Sequence, residues 1–285
     1  MDKQKKAFEY CDQFVTAFEE VLKKTNKDKH EKYFVGVDIG TACIVITVLD
    51  EKKKPVAGAY RWASVVKDGM VVDYIGALKI VRELKEEIEK ELGQELIYAA
   101  TAIPPGTMYL DGGVVKNVVE GAGFEVTEVF DEPIAANAVL QIQDGAIVDI
   151  GGGTTGISIF KDGKVVHVAD EATGGVHFSL ILAGAYNMSL DKAESYKRNK
   201  KNQKEIRPVL KPAMEKVASI IEKCIQGYDV EEIYLVGGTS CLEGIDEVIE
   251  KYLKVPTFKP KNPLFVTPLG IALSSTEGTM RDGTN

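Results

Sequence analysis

The stretch Asp149-Ile150-Gly151-Gly152-Gly153-Thr154-Thr155-Gly156 decides the reading of this chain. It follows the apolar run Ala146-Ile147-Val148, so an acidic residue ends a buried strand and is succeeded by glycines and hydroxyls. Glycine lets backbone N–H groups approach an anion closely, and threonine hydroxyls add donors. A carboxylate beside a phosphate is repelled by it, so Asp149 makes chemical sense there with a metal ion or a water between the two. A second copy lies upstream. Val35-Gly36-Val37-Asp38-Ile39-Gly40-Thr41-Ala42 again runs strand, Asp, apolar residue, Gly, Thr, before an apolar strand over 43–49. Repetition of one unit implies two related halves. Two Asp-bearing hairpins facing each other across a cleft would clamp a nucleoside triphosphate and its magnesium from both sides.

Gly151, Gly153 and Gly156 also fit G-x-G-x-x-G, but the dinucleotide fingerprint requires a helix immediately afterwards. Here Ile157-Ser158-Ile159-Phe160 reads as a strand, and Lys161-Asp162-Gly163-Lys164 as a hairpin turn into another over 165–169. That argues against a Rossmann unit. No G-x-x-x-x-G-K-[ST] occurs, which excludes a P-loop. Either segment alone is also what an ordinary glycine turn looks like; the pair carries the argument.

A chain of 285 residues with 45% hydrophobic content can bury the core of one large or two medium domains. A net charge of −8 without a basic stripe argues against nucleic acid as the principal partner. Cys11, Cys43, Cys224 and Cys241 show no ligand spacing and read as buried reduced thiols, and His30, His167 and His177 do not cluster. There is no signal peptide and no apolar run for membrane insertion, so a soluble, reducing, cytoplasmic setting is expected.

Taken in order, residues 1–22 place Phe8, Cys11, Phe14, Val15, Phe18, Val21 and Leu22 on one helical stripe, with a charged linker over 23–32. Such a helix either packs back on the core or docks on a partner. The first hairpin spans 33–48, with a further strand over 55–66 and a turn at Lys67-Asp68-Gly69. An amphipathic helix over 75–92 ends at Gly93. A nearly continuous apolar strand over 96–103 suits a sheet buried on both faces. A helix over 107–122 and a strand over 125–130 follow, giving an α/β order. Pro133 suits a first helical position, which leaves Glu132 at the carboxyl end of a strand, where open α/β sheets place ligand groups; a first-turn Glu favoured by the helix dipole reads the same way.

The second half repeats the plan: a hairpin over 146–160, a strand to 170, Gly174-Gly175 before a helix, and Ser189 as an N-cap. Residues 197–206 read as a basic, solvated connector, and a long helix runs from about Pro208 to Gln226. After a strand over 232–236, Gly237-Gly238-Thr239-Ser240 opens a helix near Cys241, a place for a sugar or phosphate edge. A short helix spans 269–273, and the tail after Ser275 reads as frayed.

Five of these segments fall in the order of the actin-like ATPase superfamily. Asp38-Ile39-Gly40-Thr41 resembles its first phosphate loop and Asp149 to Thr155 its second. Asp131-Glu132-Pro133-Ile134-Ala135-Ala136 resembles the first connecting helix of the DnaK-type branch, Leu235-Val236-Gly237-Gly238-Thr239-Ser240 the adenosine motif, and Pro268-Leu269-Gly270-Ile271-Ala272 the second connecting helix. Ala193-Glu194 with Lys197 is similar to the nucleoside-contacting pattern of bacterial actins. The whole chain resembles the ethanolamine-utilisation protein J family, described as chaperone-like.

The resemblance implies an α/β, actin-like (ribonuclease H-like) duplicated fold with two lobes and a nucleotide cleft. The expected units are a helix and linker over 1–32, lobes over 33–145 and 146–275, and a flexible tail over 276–285, the helix at 268–275 packing on the first lobe. By the same resemblance Asp38 and Asp149 would hold Mg2+ and its waters, and Glu132 would position the attacking water. Gly40, Thr41, Gly151, Gly152, Gly153, Thr154 and Thr155 would contact phosphates, with Glu194, Lys197, Gly237 and Gly238 around the nucleoside. One departure matters: DnaK-type chaperones use a lysine on an inserted subdomain near the γ-phosphate, and that region is too short here to identify one. A peptide-binding domain of that branch is not expected after the second connecting helix.

The function implied is an ATP-binding, ATP-hydrolysing, chaperone-like protein acting on a client of ethanolamine utilisation, such as the cobalamin-dependent lyase. Shell proteins of a microcompartment are a further implied partner, through residues 1–22. The rival readings are a non-catalytic, nucleotide-dependent scaffold or filament and, third, a small-molecule kinase, for which no acceptor base can be singled out.

Overall fold

In a computed structural model the described residues are 2–67, 70–104 and 112–276. The expected turn at Asp68-Gly69, the start of the helix at 107 and the tail beyond 276 therefore lie outside the described residues.

The chain opens on helix α1 (Asp2–Lys23). Strands β1 (Phe34–Ile39), β2 (Cys43–Leu49) and β3 (Pro55–Trp62) follow, and a short ladder of β4 (Val66–Lys67) and β5 (Met70–Val71) leads to α2 (Tyr74–Leu92). Next come β6 (Tyr98–Ile103), α3 (Gly112–Gly121), β7 (Glu125–Asp131) and α4 (Glu132–Leu140). The pattern then restarts with β8 (Gly145–Ile150), β9 (Thr155–Lys161), β10 (Lys164–Glu171), α5 (Gly175–Tyr186), α6 (Leu190–Arg198) and α7 (Gln203–Ile225). Strand β11 (Ile233–Val236), α8 (Ile245–Leu253), β12 (Thr257–Phe258) and α9 (Val266–Ser274) complete it.

Two five-stranded sheets result, ordered β3-β2-β1-β6-β7 and β10-β9-β8-β11-β12. In each, the Asp-bearing hairpin and the strand beyond it are antiparallel, and the remaining strands add in parallel. The duplication extends to the loops. Gly40 N donates to Cys43 O at 3.0 Å, and Gly151 N donates to Thr154 O at 3.0 Å. Every residue of β2 is buried, so its near-continuous apolar run has no polar face to show. Helix α2 starts where Asp73 accepts a hydrogen bond from Gly76 N, and it stops at Gly93, whose left-handed backbone a residue without a Cβ adopts freely.

Helix α1 packs back on the core. Cys11, Phe14, Val15 and Phe18 are buried in a cluster shared with α4, α9 and β2. Phe8 meets the rings of Tyr234 and Phe258, Lys261 N donates to Asp12 Oδ1 at 2.8 Å, and Asn262 Nδ2 donates to Glu19 Oε1 at 2.7 Å. The helix thus reaches both sheets. The stripe considered for docking on shell or cargo is occupied within the chain.

Helices α4 and α9 cross in direct backbone contact. A Cβ at Gly270 would overlap Ala135 O. Helix α9 also lies against β1 and β2, where Thr47 Oγ1 donates to Pro268 O at 2.8 Å and a Cβ at Gly36 would lie 2.6 Å from Ala272 N.

Three local expectations are corrected. Residues 197–206 are not a solvated loop: α6 runs to Arg198, a 3-10 turn covers Lys200–Asn202, and α7 begins at Gln203, with Pro208 and Pro212 inside it. Buried polar ties order this segment, since Gln203 Nε2 donates to Lys197 O at 2.6 Å and Gln203 Oε1 accepts from Glu243 N at 3.0 Å. After β11 the chain makes a 3-10 turn over Gly238–Cys241, and α8 starts only after the left-handed Gly244. Among the cysteines, Cys11 and Cys43 are buried but Cys241 is exposed; all four are free.

Candidate functional site

The two hairpin loops face each other across a cleft of about 1150 Å³, open mouth included. At its floor the loops touch: a Cβ at Gly152 would lie 2.9 Å from Ala42 Cβ. The second loop rests on the start of α5, where Gly175 N donates to Gly151 O at 2.9 Å and Val176 N to Gly152 O at 2.8 Å. Thr239 Oγ1, from the turn after β11, donates to Gly151 O at 2.7 Å. Gly237 has φ +86, and a Cβ there would run into Asp149 Oδ1 and lie 2.7 Å from Ile150 O. Only glycine fits between that carboxylate and the loop.

The structure brings Asp38, Gly40, Thr41, Glu132, Asp149, Gly151, Gly152, Thr154, Glu194, Lys197, Gly237 and Gly238 onto the cleft wall. Gly153 and Thr155 lie in the same loop behind the lining residues. Thr155 is buried and its hydroxyl donates to Thr173 O at 2.6 Å, while Gly153 backs onto Gly174. Residues 154 and 155 differ in the side of the hairpin they face: Thr154 lines the cleft with its side chain bonded to Asp170, and Thr155 is bonded behind it.

The floor is acidic. Burial first, and then Asp149, push Asp38 up to about 7. Burial pushes Asp149 up to about 6, while the Thr267 hydroxyl, which donates to Asp149 Oδ2 at 3.0 Å, pulls the other way. Glu132, in the first turn of α4, is raised well above the usual carboxylate range by burial, then by Asp149, Asp38 and Asp170. These shifts are what unpaired carboxylates in a low-dielectric cleft undergo. Asp170 and Thr267 were missed by sequence reasoning. Asp170 pairs in register with Gly156 across β9 and β10, and is itself raised by burial against a hydrogen bond from Thr154.

The other end of the cleft is differently charged. Lys197 is buried and donates to Gly175 O at 2.6 Å and to Glu194 Oε2 at 2.8 Å, and Ser179 Oγ donates to the same Glu194 oxygen. Burial works to raise Glu194, yet Lys197, Ser179 and Arg198 together bring it below its ordinary value. Burial lowers Lys197. Trp62 and Arg198 also line this end and gave no signal in the sequence.

The donors on the floor are carboxylate oxygens, the set that a hard divalent cation prefers. Among the described residues, the trio of His, Cys, Asp or Glu ligand atoms lying within 4.8 Å of one another is His30, Asp50 and Glu51, away from the cleft. The cleft carboxylates are spaced more widely, which fits magnesium held through its own waters and not by direct ligation alone.

The fold has known counterparts. The chain is 45% identical over 245 residues to the ethanolamine utilization protein EutJ of Escherichia coli (strain K12), with 86% of each chain covered. A structure of EutJ from Carboxydothermus hydrogenoformans matches with a TM-score of 0.89 at 47% identity, over 94% of this chain and 99% of that one. MreB5 of Spiroplasma citri bound to ADP shares the fold at a TM-score of 0.67 and 20% identity, over 84% of this chain and 95% of that one. Two family descriptions match parts of the sequence: MreB/Mbl protein over residues 57–183 and Type IV pilus assembly protein PilM over residues 135–263. No helix among the described residues is long and apolar enough to cross a membrane. With this identity over most of both chains, and with the duplicated sheets and facing Asp-x-Gly hairpins already seen, the chain belongs to the ethanolamine utilization protein EutJ family and has an actin-like ATPase fold.

Proposed function

We propose that the cleft binds ATP with Mg2+ and hydrolyses it, and that closure of the two halves about the nucleotide is read by a protein of ethanolamine utilisation. The observation that carries this is the half-buried set Asp38, Asp149 and Glu132, each raised by desolvation or by its neighbours, set against two glycine loops. Buried carboxylates are costly until a cation joins them. A magnesium nucleotide supplies that cation together with the anion that glycine loops accept, and the bound ion neutralises phosphate charge.

Within this reading Asp38 and Asp149 would hold the ion, and Thr267 fixes the rotamer of Asp149. Glu132 orients the attacking water and takes its proton, a role that suits a carboxyl raised above its ordinary basicity. Gly40, Thr41, Gly151, Gly152 and Thr154 contact phosphates, with Gly153 and Thr155 supporting the loop from behind. Glu194, Lys197, Gly237 and Gly238 flank the nucleoside. By kinship with proteins named for ethanolamine utilisation, the client is an enzyme of that pathway, such as the cobalamin-dependent lyase, during assembly or reactivation in association with a microcompartment.

One observation favours a second reading, a nucleotide-dependent scaffold without useful turnover. The cations among the described lining residues are Lys197 and Arg198, and both are engaged at the nucleoside end and not at the acidic floor. Phosphate release from Mg-ATP, measured beside nucleotide binding for wild type and Glu132→Gln, separates the two. Release that falls by about a hundredfold or more in the variant, with binding kept, supports hydrolysis with Glu132 in this role. Binding without release in the wild type supports the scaffold, and absence of binding overturns both.

A further inference from the structure

Trp62 and Arg198 meet across the mouth of the cleft from opposite walls. Trp62 ends β3 in the first sheet and pairs in register with Cys43, beside the first glycine loop. The next residue, Ala63, donates its N–H to Ala42 O at 3.1 Å, so this strand end is tied to that loop. Arg198 ends α6, the helix that carries Glu194 and Lys197 on the other wall. Its guanidinium carbon lies 4.2 Å from the centre of the Trp62 ring, and both side chains line the cleft. Stacking of this kind is attractive because the indole face is electron-rich and the guanidinium is planar and weakly hydrated. The contact is built to be reversible. Trp62 is 40% exposed, and the tie that holds Arg198 to its own helix, to Glu194 Oε1, is 3.8 Å long.

We propose that Arg198 and Trp62 form a clasp that holds the two walls together over a bound nucleotide and must part before the nucleotide leaves, so that it sets the rate of exchange. The inference rests on the nucleotide reading above. The pair lies outside the acidic floor, and each partner is one or two residues from a group on the wall it fastens. Breaking the clasp therefore loosens closure while the phosphate-binding groups stay in place, and the change appears in release more than in association.

Trp62 is the one tryptophan in the sequence, so its fluorescence reports the clasp directly. In Arg198→Ala the nucleotide-free protein should show greater acrylamide quenching of that fluorescence than wild type. A fluorescent ADP analogue should leave about two- to fivefold faster from Arg198→Ala and from Trp62→Leu, the change expected for one partly exposed cation–π contact. Trp62→Phe, which keeps an aromatic face in a smaller side chain, should release at an intermediate rate. Unchanged quenching in Arg198→Ala, or wild-type release rates in both disrupting variants, would overturn the clasp while leaving nucleotide binding standing. Wild type that gives no binding signal for the analogue overturns the nucleotide reading and the exchange role with it.

Discussion

Asp38 and Asp149 return to an ordinary carboxylate value of 3.8 when the chain unfolds, from about 7 and about 6 in the fold. An acid raised on folding stabilises the native state below its unfolded value, and that contribution is lost as pH rises through the folded one. The metal-free protein should consequently melt at a higher temperature near about pH 5 than near about pH 8, a slope readable by calorimetry in EDTA. Asp38→Asn should flatten the slope; a wild-type profile already flat across that range would mean the carboxylates are neutralised within the protein. These two acids were legible because each lies in a local pattern of strand, Asp, apolar residue and glycine. Thr267 was not, since it reaches Asp149 from 118 positions away, and Asp170 enters through the pairing of β10 with β9. The partner of the Thr155 hydroxyl, Thr173 O, was not legible either, because the residue count of the loop, and not residue type, decides which way each threonine faces.

Among the elements, the α4–α9 crossing admits no side chain at Gly270, where the obstacle is the Ala135 backbone and cannot swing aside. Gly270→Ala should cost about 3 kcal/mol in urea unfolding, at the upper end for overpacked sites; a loss within error of zero would show that the helices can slide apart. Helix α1 offers the opposite test. Phe18 is fully buried against β3 and the Phe265 ring, so Phe18→Ala should cost about 3–5 kcal/mol, whereas a helix held free for a partner would lose almost nothing. The amphipathic stripe of α1 was readable at its 3.6-residue period, but a stripe says only that something covers it. The 197–206 segment was unreadable for a related reason: its charges look solvated, and what orders it is the side chain of Gln203 reaching into buried backbone.

For the molecule as a whole, a ligand bound only by the native state raises its stability by mass action. Mg-ATP at about 100 times its Kd should add about 2.7 kcal/mol and shift the melting temperature upward, and EDTA should remove most of that shift. A shift of equal size with and without the metal would place the carboxylates outside the nucleotide site. The duplicated plan was the most legible property of all, because the same hairpin appears twice in the sequence, and both sheets carry the same strand order. Helix α1 has no counterpart in that duplication. It is anchored on the first sheet through Phe18 and on the residues around the second through Phe8, Asp12 and Glu19. If the angle between the sheets changes on closure, one of those anchorages has to shear, which would make the freedom of the joint and the attachment of α1 a single linked equilibrium. In that linkage whatever loosens the helix would widen the swing of the cleft, and whatever locks the cleft would tighten the grip on the helix by the same free energy.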